Sequence, residues 1–559
     1  MEAPITRTCK WLSGAALVVV AASPATASTW RAPSDPARAY IEARAAGMNG
    51  EHARSADLLA TIAQSTPGEP DVARKALTEA LGAGRMDLAL QLARSTAATK
   101  LPSDARLLLV ADELRRKRPG DALRWLAVTG ESGDLQFLAP LINAWSAADA
   151  GDATRALAAL DQIPANSLLG PLRAEHRAYI LLKLRRTAEA ETFARRAIGS
   201  AGAREGRIRV ALADGFLAAG DRARALAMVE GPNAAAAAVR TRIATGRVEG
   251  ENVDTAAKAL SEALTAFGGD LARLQRGVAP VGLVQVARYA NPANSSATAL
   301  VALLLDAQDR SPEALALLQA VRRDDPLIAQ VRDIQVKLLN DNKQFPQAFA
   351  IASAAAAMPG ASSGDFSRLG DVYAAMKRHA DAADAYGRAV ATERAQGPSS
   401  ELWTLLLLRA SALEDAGRWP EAKQALEEGL VIAPDQPLLL NFLGYGKLER
   451  KEDMDGAEAM IRKASELAPD DASITDSLGW AEYKRGKLTD SIATLQRAAE
   501  KDPDQAEIHE HLGDALYKSG RRFEARFAWE ASLITAEDDI AKRVRAKLIS
   551  GMSEANAAP

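Results

Sequence analysis

The feature that most constrains this chain is a beat of 33 to 35 residues that runs along most of its length. In the C-terminal third, Leu443-Gly444, Leu478-Gly479 and Leu512-Gly513 recur at steps of 35 and 34, and Pro434, Pro469 and Pro503 keep the same steps. An earlier copy stands at Leu369-Gly370, and twelve or thirteen positions after each glycine comes a small residue: Ala382, Ala457, Ser491 and Ala525. Upstream, Ala56, Ala89, Ala122, Ala156, Ala190, Ala225 and Ala257 follow at 33, 33, 34, 34, 35 and 32 residues, and Ala314, Ala348 and Ala382 at 34. In a chain this rich in alanine, shared context carries the register: Arg155-Ala-Leu-Ala-Ala-Leu160, Arg224-Ala-Leu-Ala-Met228 and Glu313-Ala-Leu-Ala-Leu-Leu318. Such a period means stacked supersecondary units, each burying its apolar face against its neighbours.

The best copy reads Phe366-x2-Leu369-Gly370-x2-Tyr373, then Ala382-x3-Tyr386. On these residues the chain resembles the tetratricopeptide-repeat family, whose pattern is W-x2-L-G-x2-Y, then A-x3-F, then P. The resemblance implies an all-α helical solenoid, a superhelix of antiparallel helix pairs. Small residues at Gly370, Gly479 and Ala382 let paired helices approach, bulky positions fill the space between, and proline ends the preceding helix. The chain divides into 1–27, an export signal; 28–270, degenerate repeats; 271–398, an irregular helix pair and middle repeats; and 399–540, C-terminal repeats. Residues 541–559 read as a helix end and a polar tail, untethered from about Ser550. The 57-residue step from Ala257 to Ala314, with Val278–Gly282, holds the irregular pair or an insertion, and Gly397-Pro398-Ser399-Ser400 marks a loop.

Aromatic residues make up 5% of the chain, and 69 basic against 72 acidic side chains leave a net charge of −3. That balance offers no electrostatic footprint for nucleic acid or an anionic membrane. At the N-terminus, basic Arg7 and Lys10 precede the apolar run Trp11–Ala22 and the small-x-small motif Ala25-Thr26-Ala27. Twelve residues are too few to span a bilayer, so the segment reads as a signal peptide cleaved after Ala27, giving a periplasmic protein without a stable membrane anchor. The single cysteine, Cys9, precedes the apolar run and so is not the acylated cysteine of a lipoprotein. Disulfides and cysteine-ligated zinc are excluded for the rest of the chain. His509 and His511 are spaced i, i+2, which sends their rings to different faces of a helix, and no metal site is assigned.

In the resembled family the first helix of each repeat lines a concave surface that contacts ligands. In the last three repeats, one helical face carries Leu438, Asn441, Tyr445 and Leu448, then Ser473, Asp476, Trp480 and Tyr483, then Glu507, Glu510, Asp514 and Tyr517. The protein-binding candidates are Asn441, Tyr445, Asp476, Trp480, Tyr483, Asp514 and Tyr517, an acidic-aromatic groove for an extended peptide or a partner's helix. The competing reading packs these rings against the next repeat. If they face a ligand, Trp480→Ala with Tyr483→Ala leaves the fold intact and abolishes capture. Family members that hold chaperone C-termini use a Lys and Asn clamp here; an acidic face repels a terminal carboxylate and suits a neutral or basic partner.

No G-x-S-x-G, G-x-x-x-x-G-K-[ST], H-E-x-x-H or post-strand G-x-G-x-x-G motif occurs. Asp324-Asp325, Asp470-Asp471 and Asp538-Asp539 fall at turns and helix starts, where carboxylates cap free N–H groups. No catalytic residue and no cofactor is assigned. The run Leu440–Tyr445, Ala468–Asp471, Asp476–Trp480 and His511–Asp514 resembles Gram-negative envelope tetratricopeptide adaptors, including the lipoprotein partner of a carboxyl-terminal processing protease. That resemblance, over about 400–535, implies a non-enzymatic envelope scaffold. The alternative is a structural subunit of a polysaccharide or outer-membrane protein export machine; the oligomeric state is open.

Overall fold

The computed structural model describes residues 35–66, 69–128, 133–231, 234–244, 252–274, 280–397, 399–400 and 402–558. The signal-peptide reading, with Cys9 and Ala27, lies outside the described residues, as do Val278, Ala279 and Pro398. Among the described residues the regular elements are all helical, with no strand.

Two compact units divide after Ala139. The first holds three pairs: α1 (Pro36–Met48) with α2 (His52–Ser65), α3 (Pro70–Gly82) with α4 (Met86–Ser95), and α5 (Ser103–Arg115) with α6 (Pro119–Leu126). The second opens with α7 (Ala139–Asp149) and α8 (Ala153–Asp161), α9 (Arg173–Lys183) and α10 (Thr187–Gly199), then α11 (Glu205–Ala218) and α12 (Arg222–Met228). An irregular stretch follows: α13 (Ala234–Ala244), α14 (Ala256–Arg273) and α15 (Val281–Ala290). Pairing resumes with α16 (Ser295–Asp306) and α17 (Ser311–Gln319), α18 (Ile328–Asp341) and α19 (Phe345–Ala356), α20 (Ser363–Ala375) and α21 (His379–Ala395). The last pairs are α22 (Leu402–Asp415) with α23 (Trp419–Ile432), α24 (Pro437–Glu449) with α25 (Met454–Leu467), α26 (Ala472–Lys484) with α27 (Leu488–Lys501), and α28 (Ala506–Lys518) with α29 (Arg522–Thr535). A single helix, α30 (Asp538–Ser550), closes the series.

The alanine ladder lies where the two helices of a pair cross. Ala56, Ala89, Ala122, Ala156, Ala190, Ala225, Ala314, Ala348, Ala382, Ala457, Ser491 and Ala525 are all 0% exposed, and Ala257, at the irregular stretch, is 5% exposed. A larger side chain at these positions would push the backbones apart. Close approach also explains the glycines: a Cβ on Gly370 would fall 2.6 Å from the Tyr386 ring, and one on Gly479 2.6 Å from Leu495.

A second periodic signal sits in the backbone. Gly50, Gly84, Lys117, Gly151, Arg185 and Gly220, then Asp309, Lys343, Lys377, Gly417, Lys451, Gly486 and Gly520, all take φ between +55° and +89°. Each lies five or six residues before a ladder position and turns the first helix of a pair into the second, the left-handed step that commonly ends a helix. Gly417 marks a rung the spacing had skipped, Ala422, also 0% exposed; it stands 40 residues after Ala382, beyond the loop at 397–400. The 57-residue step contains an irregular pair, α14 with α15, tied by Ser261 Oγ donating to the Ala287 carbonyl at 2.7 Å.

The expectation of an untethered tail is corrected. Residues Gly551–Ala558 form a turn in which the Asn556 side chain accepts from the Ser553 N–H at 2.6 Å and donates to the Gly551 carbonyl at 3.0 Å. Asn556 and Ala558 are buried. Composition alone hid this, because the anchor combines a backbone hydrogen bond to a distant carboxylate with only two small apolar contacts, from Met552 and Ala558.

Candidate functional site

First helices of consecutive repeats pack on one another, α24 on α26, α26 on α28, and α28 on α30. Their shared face carries the three stripes expected to contact a ligand, and each stripe is most exposed at its start. Leu438, Ser473 and Glu507, near the helix starts, are exposed; Asn441 and Tyr445 are half-buried; Leu448, Asp476, Trp480, Tyr483, Glu510 and Asp514 are buried, and Tyr517 is half-buried.

The open ends, with α22, enclose a groove of about 520 Å³ lined by Leu407, Leu408, Leu438, Asn441, Phe442, Tyr445, Ser473, Asp476, Gln505 and Glu507, among others. Of the seven candidates it brings Asn441, Tyr445 and Asp476 together. Asn441 Oδ1 is buried and no donor reaches it, an arrangement that costs stability unless a ligand answers it. Burial, with Glu449, Glu507 and Asp476 nearby, pushes the Tyr445 phenol far up, so it stays a neutral donor. Asp471 accepts from the Ile474 N–H at 2.9 Å, capping α26 and fixing this wall.

Trp480, Tyr483 and Asp514 do not present themselves to a ligand, which corrects the expectation for those three. Trp480 is 1% exposed, stacked between Tyr483 (centroids 4.5 Å apart, planes at 7°) and His511 (4.1 Å, 13°). The stack leads back to the groove wall, because His511 Nδ1 donates to Asp476 Oδ2 at 2.9 Å. Burial opposes charge on the imidazole, yet Asp476, supported by Glu507 and Asp514, raises the His511 pKa above its ordinary value. His509 turns away and meets the Pro503 carbonyl at 2.9 Å.

Asp514 is 0% exposed. Its Oδ1 accepts from Trp529 Nε1 at 2.9 Å, and its Oδ2 accepts from Lys547 Nζ at 2.7 Å and from the Ala558 N–H at 2.9 Å. Lys547 Nζ also reaches Glu510 Oε1 at 2.7 Å, and Arg543 holds both Glu510 oxygens at 3.0 and 2.7 Å. Burial works against the Glu510 charge, but Arg543 and Lys547 hold its carboxyl below the usual range. The basic counterpart that the acidic face called for is, in the last repeat, the chain's own α30. A signal for this existed: one period of 33 residues beyond Glu510 and Asp514 stand Arg543 and Lys547. Tyr517 packs beside this assembly, its ring 5.4 Å from that of Trp529.

A polar cluster that the sequence did not reveal lies around α9, α11 and α14. Glu262, 1% exposed, accepts from Arg207 Nε and Nη2 at 3.0 and 2.7 Å. Arg204 Nη2 donates to Glu175 Oε1 at 2.8 Å, and Asn294 Nδ2 donates to Ser261 Oγ at 3.1 Å. His176 is buried beside them with neither ring nitrogen hydrogen-bonded, and burial, aided by Arg204, lowers its pKa to about 3. These contacts join residues 29 to 55 apart in sequence, so no local spacing brings them together. Among the described residues no three His, Cys, Asp or Glu side chains converge as metal ligands, and no helix is long and apolar enough to cross a membrane.

Comparison with known proteins matches the same repeats. Residues 367–437 fit a tetratricopeptide repeat family model and residues 479–520 a TPR repeat model. The TPR repeat-containing protein PA4667 of Pseudomonas aeruginosa is 36% identical over 87 residues, 16% of this chain and 15% of that protein. Among solved structures, the APC/C hetero-tetramer Cut9-Hcn1 aligns over 93% of this chain and 97% of that one at 15% identity and a TM-score of 0.37. A tetratricopeptide repeat protein from Parabacteroides merdae aligns over 45% of this chain and 96% of its own at 12% identity and a TM-score of 0.37. The buried alanine ladder, the all-helical pairs and the two family matches lead to one conclusion: the chain is a tetratricopeptide-repeat protein, a fold that serves as a protein–protein interaction scaffold.

Proposed function

We propose that this protein is a non-catalytic scaffold of the bacterial cell envelope that captures a peptide segment of a partner protein in the groove of α22, α24, α26 and α28. The observation that carries the reading is the pairing of an apolar floor with unanswered acceptors. Leu408 and Phe442 supply the floor, Asn441 Oδ1 lacks a donor, and Glu507 is exposed without a hydrogen bond or ion pair among the described residues. A neutral or basic segment supplies those donors, whereas a terminal carboxylate would meet Asp476 and Glu507. Periplasmic placement rests on Arg7, Lys10, the run Trp11–Ala22 and Ala25-Thr26-Ala27. Within the envelope, an adaptor for a processing protease is the favoured role, on the resemblance over about 400–535.

The test is affinity capture from envelope extract with the full chain and with a variant carrying Leu438→Glu and Asn441→Ala. Leu438 is 46% exposed, so the pair alters the groove with little effect on the core. The reading expects a protease among the proteins captured by the wild type and at least about tenfold weaker capture by the variant. Undiminished capture by the variant removes the groove from the account, and recovery of synthase or pore components in place of a protease favours the export-machine role.

A further inference from the structure

The last two repeats carry a second seat, and the chain itself shows what fits there. Gly551–Ala558 returns across α26 and α28 and covers Tyr483, Asp514 and Tyr517. Gly551, at φ +80°, lies so close to the Tyr517 hydroxyl that no Cβ fits. Met552 brings its sulfur 4.0 Å from the Tyr483 hydroxyl. The Ala558 methyl joins the cluster of Trp480, Tyr483 and Trp529, and its N–H donates to Asp514 Oδ2 at 2.9 Å.

Two features separate this contact from ordinary core packing. First, the segment is held lightly. Ser553, Glu554 and Ala555 are exposed, and the grip is one charge-assisted hydrogen bond, one methyl group and one thioether, while α30 before it is fixed by the buried Lys547 and Arg543 ion pairs. The tail can therefore leave while α30 stays. Second, the seat survives that departure. Asp514 remains oriented by Trp529 and Lys547, so an aimed carboxylate oxygen stands ready for another N–H. A preorganised acceptor lowers the cost of binding a replacement.

We propose that the face of Tyr483, Asp514 and Tyr517 is a peptide seat occupied in cis by Gly551–Ala558, and that a partner segment of the same small-residue, turn-forming chemistry enters by displacing it. The seat selects a residue no larger than alanine with a free backbone N–H at the Ala558 position. It excludes proline there, because Asp514 would lose its donor. This goes beyond the upstream groove and stands or falls separately from it.

The test uses the full chain and a fluorescein-labelled octapeptide with the sequence of Gly551–Ala558. In the wild type the seat is filled and the peptide binds weakly. Ala558→Asp sets a carboxylate against Asp514 and expels the tail; peptide binding should then tighten about tenfold or more. Asn556→Ala, which loosens only the turn, should tighten it by less, and it carries the test if Ala558→Asp disturbs the last repeats. Leu438→Glu, which blocks the upstream groove, should leave peptide binding unchanged, so the two readings fail independently. Equal binding by wild type and both variants, or binding by none of them, overturns the proposal.

Discussion

Two buried histidines, both fully enclosed in helical repeats, have their pKa values pushed in opposite directions. His176 sits between Trp145 and Tyr179, edge-on to both rings, without a hydrogen bond to either nitrogen. Burial wins there and the ring is neutral. His511 is as deeply buried, but the Asp476 carboxylate faces it at 2.9 Å and Trp480 stacks on it. The carboxylate outweighs burial and favours the cation. The surroundings differ in the same sense. The cluster of Glu175, Arg204, Arg207 and Glu262 joins α9, α11 and α14, whereas the pairs around Asp476, Glu510 and Asp514 run along the shared face of α26, α28 and α30. Buried charge in the first region fixes a register where the period breaks; in the second it links groove, stack and tail.

The largest effects should come from unpairing these charges. Glu262→Ala removes the buried carboxylate that accepts from Arg207, and Lys547→Ala removes the buried ammonium shared by Glu510 and Asp514; each should cost about 3–5 kcal/mol. The two should differ in where they act. Hydrogen exchange should rise around α11 and α14 for Glu262→Ala and around α28, α30 and the tail for Lys547→Ala. Exchange spread evenly in both variants would dissolve the distinction. Trp480→Ala should follow at upward of ~3 kcal/mol, the cost of emptying a large buried ring site. Its melting transition should fall, in contrast to the unchanged fold that an exposed aromatic would give.

The pH responses sharpen the comparison next. The raised pKa of His511 means its pair with Asp476 contributes fully below the ordinary histidine range near pH ~6.5, and that contribution fades as pH rises through the folded value. The depressed pKa of His176 has the opposite sign. Its neutral ring is at ease above pH ~6.5, and stability is lost as pH falls from there toward about 3. Melting curves of His511→Gln and His176→Gln against pH should lose the alkaline and the acid dependence, respectively. The same slope in both would contradict the opposed environments.

How much of this was legible in the sequence follows from what each feature demands of a residue. A helix crossing demands a small side chain, so the ladder from Ala56 to Ala525 could be counted. The left-handed turn demands only a backbone angle, and Lys117, Arg185, Lys343, Lys377 and Lys451 meet it without being glycine; that period was invisible. Asn441, Tyr445 and Asp476 were placed on one wall because helical spacing sets a face. The burial of Trp480 is not legible in the sequence, because its cover comes from His511, one repeat on, and from a tail whose composition gives no sign of attachment. The acidic stripe and its need for a basic counterpart were visible; that Arg543 and Lys547 supply it in cis depended on continuing the period one helix further.

The smallest effect concerns the turns. Lys377, exposed at φ +58°, pays the left-handed penalty that glycine avoids, so Lys377→Gly should raise stability by up to ~1 kcal/mol, read as a small increase in melting temperature. A decrease would mean that Lys377 makes a compensating contact.

The central claim is that the face of the last repeats is divided, open at α22 to α28 near the helix starts and closed by α30 and its tail beyond. Amide hydrogen exchange of the full chain tests it most directly. The account predicts that the Ala558 amide and those of α30 are protected, with the tail less so than α30. Free exchange throughout 538–558, with α26 and α28 still protected, would contradict it.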